Sequence, residues 1–127
     1  MHEIAPGWNV QMDRGPNWLL MRVQADPGSK PTADEFCQQV WNLMQRHLTT
    51  RLVVEFDGAP PLDAEMIDHL GRLHDRIDDA NGKLCVCGLS PDDEQSLRGA
   101  KVNAQRPISV FRNRTEAVMG YRPGQPR

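Results

Sequence analysis

Residues 52–87 read LVVEFDGAPPLDAEMIDHLGRLHDRIDDANGKLCVC, and this stretch decides the fold. Leu52 to Phe56 is β-branched and apolar on both faces until Glu55, the pattern of a strand covered on two sides. Asp57-Gly58-Ala59-Pro60-Pro61 is a turn. From near Asp63 onward, Met66, Leu70, Leu73, Ile77 and Ala80 recur at helical spacing, and Asn81-Gly82 supplies the left-handed residue that ends the helix. Leu84 to Cys87 is then a second buried strand. Strand, helix and strand in this order form the repeating unit of an open α/β sheet, joined by a right-handed crossover.

The flanks extend the same plan. Gly7 to Met12 and Trp18 to Val23 are two period-2 runs around Asp13-Arg14-Gly15-Pro16-Asn17, which predicts an antiparallel hairpin. Thr32-Ala33-Asp34-Glu35 is a capping box, and the helix it opens carries Phe36, Val40, Leu43 and His47 on one stripe to about Leu48. Ser90-Pro91-Asp92-Asp93 opens a short polar helix with serine as cap and proline at its first position. Pro107 to Phe111 is a last strand, and Asn113 caps a last helix to about Met119. The predicted order is β-β-α-β-α-β-α-β-α over residues 8–120, with 1–7 an N-terminal tail and 121–127 a disordered one.

Composition bounds the setting. At 127 residues, 39% hydrophobic and 25% charged, the chain suits one domain with its own core. It contains no run near the roughly 18 apolar residues that cross a bilayer, and no signal peptide, so the expectation is a cytoplasmic protein that does not engage membranes. Cys37, Cys85 and Cys87 are an odd set and are expected reduced and buried, the last two on opposite faces of their strand. The net charge of -2 conceals a polarity: residues 98–127 hold seven basic groups against Glu116, hence +6, and residues 1–97 hold eight against sixteen acids, hence -8. No aromatic residues interleave with those basic groups, so a solvated tail is expected and nucleic acid is not.

Leu52-Val53-Val54-Glu55-Phe56, Leu62-Asp63-Ala64-Glu65-Met66-Ile67, Gly71-Arg72-Leu73-His74 and Asn81-Gly82-Lys83-Leu84 together resemble a STAS domain, the sulfate-transporter and anti-sigma-factor-antagonist module. The resemblance implies a mixed sheet of about five strands with about four helices packed chiefly on one face. It also implies a non-enzymatic part in partner switching, with an anti-sigma factor or related kinase-like protein as partner. Regulated members of the family carry a phosphorylatable serine directly after the aspartate. Here Ala64 holds that position, followed by Glu65, so the family's phosphoacceptor is absent. Phosphate would add about -1.5 to -2 charge and eject a partner. Without it, either docking is never switched off, or Glu65 partly imitates the phosphorylated state.

The candidate docking residues are Asp63, Ala64, Glu65, Asp68 and His69, with Gly58 and Pro60 shaping the preceding loop. Trp8, if it lay on an edge strand, would also offer an anchor for a homodimer. No cofactor or metal is expected. His69 and His74 are five positions apart, about 140° around a helix, where ligands sharing one ion prefer three or four, and both are expected as exposed surface residues. No hydroxyl or thiol stands beside a base, and Pro60-Pro61 removes amides that a phosphate loop would need. The alternative reading is a sensor of a small ligand, a nucleotide or an anion, at the same edge; a third is an enzyme subunit with a degenerate site.

Overall fold

The computed structural model describes residues 2–5, 7–15, 18–25, 33–57, 62–100 and 107–119. Its elements are β1 (His2–Ala5), β2 (Trp8–Arg14), β3 (Leu19–Ala25), α1 (Ala33–Arg46), β4 (Arg51–Phe56), α2 (Ala64–Asp79), β5 (Lys83–Cys87), α3 (Pro91–Arg98), β6 (Ser109–Val110) and α4 (Arg114–Met119). The strands make one sheet whose spatial order is their chain order. β1, β2 and β3 pair antiparallel, and β3 to β6 pair parallel. This is the mixed α/β sheet the sequence predicts, with one strand more.

The added strand lies in the segment expected as a tail. His2 pairs with Val10, Glu3 with Asn9 and Ala5 with Trp8, and the register shifts between Glu3 and Ala5. Four residues are too few for a period-2 pattern to stand out; the unpaired edge of β2 orders them instead. Trp8 consequently sits on an interior strand, buried, with its ring 4.5 Å from that of Phe36. The dimer anchor expected of an edge Trp8 is removed.

Because each parallel strand lies beside its predecessor in the same direction, right-handed crossovers send α1, α2 and α3 to one face. Phe36, Val40 and Met44 of α1, Met66, Leu70 and Ile77 of α2 and Leu97 of α3 share one core with Met21, Leu52, Val54, Leu84 and Val86. Helix α4 covers the opposite face, where Ala117 packs with Val53, Cys85, Cys87 and Phe111. Cys85 and Cys87 therefore share a face, against the expectation: residues two apart on a strand point the same way. All three cysteines are free and buried, and burial pushes the thiols up, to about 12 for Cys37 and Cys87 and about 11 for Cys85.

Helix ends follow local chemistry. In α2, Asn81 takes φ 59° while the amides of Asn81 and Gly82 donate to the carbonyls of Asp78 and Ile77 at 2.9 Å, a Schellman ending. Gly82 is needed next, since a Cβ there would stand 2.0 Å from the Thr50 carbonyl oxygen. Helix α1 ends the same way two residues before the expected Leu48, which itself takes the left-handed position at φ 54°. The final strand is shorter than predicted. Pro107 has no N–H to donate, and at this sheet edge the Arg98 guanidinium donates to the Val110 carbonyl at 3.0 Å.

Candidate functional site

Strands β4 and β5 end at one edge of the sheet, and α2 and α3 begin there. Open α/β sheets usually present binding residues at this edge. Asp63 caps α2, its Oδ1 accepting the Met66 amide at 2.8 Å. With Asp63 committed to the cap, Ala64 and Glu65 follow as the first two helical residues, and both are exposed. Asp68 is exposed one turn on and ion-paired with Arg72 at 3.0 Å.

The neighbouring helix is tied to this edge. Gly88 takes φ +79°, and a Cβ there would lie 2.4 Å from the Phe56 carbonyl oxygen, so the loop after β5 passes hard against the end of β4. Ser90 then caps α3 by accepting the Asp93 amide at 3.2 Å. The Asp93 carboxylate in turn accepts the Leu62 amide, 3.3 Å from each oxygen. One carboxylate thus bridges the two helix starts. Asp92, Asp93 and Glu94 of α3 join Asp63, Glu65 and Asp68 in a strongly acidic rim, which the amino-terminal ends of the helix dipoles favour. Beside it, Arg22 bridges Asp57 at 3.0 Å and Glu55 at 3.6 Å, and Gln24 donates to Asp57 at 3.1 Å.

Of the residues singled out in the sequence, Asp63, Ala64, Glu65 and Asp68 come together on this rim. Gly58 and Pro60 lie outside the described residues, as does the Thr32 cap. His69 is half-buried and turns away into a groove against α1. His74 is buried, at 5% exposure, contrary to the expected surface position: four residues after Leu70 and three before Ile77, it falls on the core stripe. Among the described residues, no three His, Cys, Asp or Glu side chains converge as a metal site.

The groove that receives His69 has no counterpart among the sequence motifs. It is lined by Asp34, Cys37 and Gln38 of α1 and by His69, Arg72, Leu73 and Arg76 of α2, with a volume of about 170 Å³. The Arg76 guanidinium lies over the half-buried Trp41 ring, 4.3 Å from its centroid. The groove arises from two helices packed side by side, so the periodicity of either helix alone carries no sign of it.

The basic carboxy-terminal part proves largely self-engaged. Arg98 holds the Val110 carbonyl, Arg112 forms a paired contact with Glu116 at 2.6 and 2.9 Å, and Arg114 reaches Glu55 at 3.1 Å. Those three are the basic residues after position 97 that the structure describes, and each has a partner within the fold. No described helix is long and apolar enough to cross a membrane.

Comparison with solved structures finds a similar fold in a serine-to-glutamate variant of RsbS from Moorella thermoacetica, a STAS-domain protein. The TM-score is 0.67 at 11% identity, over 87% of this chain and 92% of that one. The fold is therefore the STAS fold. No family model matches the chain. Nor does any curated protein match it in sequence.

Proposed function

We propose that this chain is a non-enzymatic docking module of the partner-switching kind, whose docking rim, the start of α2, stays available because no phosphate can be placed on it at Ala64. The carrying observation is that Ala64 stands exposed as the first residue of α2, directly after its capping aspartate, in a chain that shares the fold of RsbS. The fold likeness to RsbS supports this reading, and an anti-sigma factor or kinase-like protein is the partner it suggests.

Charge distinguishes the two consequences of losing the hydroxyl. A phosphate at Ala64 would bring close to two charges at one point. Glu65 brings one, about 100° further around the helix, so it does not occupy the same place. That favours permanent docking over permanent ejection. The three thiols are buried and burial raises them, which makes them poor nucleophiles and supports the non-enzymatic reading.

The test is calorimetric titration of the chain against the kinase-like anti-sigma protein of its own organism, with Glu65→Lys as the charge-reversed control. Wild type should bind, and reversal at an interface charge should weaken binding by about tenfold or more. Equal affinities for the two would remove the start of α2 from the interface.

A further inference from the structure

The α1–α2 groove has the lining of an anion site, and it adjoins the acidic rim that the docking reading uses through the Asp68–Arg72 ion pair. Two guanidiniums, Arg72 and Arg76, and the His69 imidazole face a single lining carboxylate, that of Asp34. The three nitrogen-bearing side chains stand at positions i, i+3 and i+7 of α2, one continuous stripe directed at α1. Gln38, on the opposite wall, donates one amide N–H to Asn42 Oδ1 at 3.1 Å, which leaves its second N–H for a ligand. We propose that this groove binds a small oxyanion, a phosphate or a carboxylate, gripped by Arg72 and Arg76 with His69 and Gln38 as further donors.

Each basic group is placed for the task in a different way. The guanidinium carbon of Arg76 lies over the Trp41 ring, 4.3 Å from its centroid, a contact that holds its positive charge beside the groove. Arg72 is held by Asp68, but with side chains 72% and 57% exposed that pair is weak, and a second oxyanion can share or displace it. Leu73 and Cys37 make the apolar floor, which lowers the local dielectric and strengthens a charge-assisted hydrogen bond. The volume of about 170 Å³ takes a phosphate or a short dicarboxylate and is too small for a nucleotide.

The test is titration of the full ¹⁵N-labelled chain with inorganic phosphate in one arm and succinate in the other, at constant ionic strength against chloride. Saturable shifts confined to Gln38, His69, Arg72, Leu73 and Arg76 support the site, and the arm that saturates identifies the anion class. Arg72→Gln, at an exposed position that folding does not need, should raise the apparent dissociation constant about tenfold, the loss of one charge-assisted contact, while Arg46→Gln at the end of α1 should leave it unchanged. Shifts that stay linear and scattered in both arms overturn the proposal. So does equal affinity in wild type and Arg72→Gln. Because the readout needs no protein partner, failure here leaves the docking reading standing, and failure of docking leaves the groove standing.

Discussion

Asp93 and Leu62, 31 residues apart, are joined by one bifurcated hydrogen bond in which the carboxylate of the first turn of α3 accepts the backbone N–H just ahead of α2. The contact sets the chain's approach to Asp63 and so the direction in which Ala64 and Glu65 face. Asp93→Ala should destabilise the fold by about 1 kcal/mol, the worth of a part-exposed hydrogen bond to a charged group, and speed amide exchange at Leu62 about fivefold. Hydrogen exchange resolved by residue checks this; an unchanged rate at Leu62 would mean that the loop is held by something else.

Leu48 carries a cost that no burial repays. It adopts the left-handed conformation at 90% exposure, where a glycine would close the same Schellman ending without a Cβ clash. Leu48→Gly should therefore stabilise the protein by about 0.5–1 kcal/mol despite the extra freedom it gives the unfolded chain. Urea denaturation measures this directly. A loss of stability would show that the exposed leucine side chain makes a contact worth more than the strain.

Alkali should weaken the fold through its cysteines. Each thiol is neutral when protonated, and burial raises all three from 9.0 in the unfolded reference to about 11 or 12. The folded chain thus keeps protons that the unfolded chain releases, so the contribution is full below pH 9 and declines as pH climbs from 9 through 11 and 12. Melting temperatures followed across that range should fall more steeply for wild type than for the variant with Cys37→Ala, Cys85→Ala and Cys87→Ala combined. Parallel slopes would place the alkaline sensitivity on other groups.

Local chemistry was readable in the chain wherever the cause was local. The Ser90 cap, the Asn81 ending, the apolar stripe of α2 and its start near Asp63 each depend on residues a few positions apart, and each forms as the spacing predicts; that Asp63 is itself the cap comes from the structure. His74 was readable too, since its offsets from Leu70 and Ile77 place it on the buried stripe. What remained hidden depends on distant partners. Glu55 and Arg114 meet across 59 residues, Arg76 meets Trp41 on another helix, and β1 is ordered by the edge of β2 rather than by its own pattern. For the site, the exposed run Asp63-Ala64-Glu65 was legible, but the clasp from Asp93 and the groove holding His69 were not.

The most direct measurement is the affinity of the chain for a kinase-like anti-sigma protein of its own organism, the proposed partner, before and after incubation with magnesium and ATP, for wild type and for Ala64→Ser. The account predicts that wild type binds equally well in both conditions and takes up no phosphate, whereas Ala64→Ser is phosphorylated and loses its hold. A wild-type affinity that falls on incubation with ATP, with phosphate found on the chain, would contradict it.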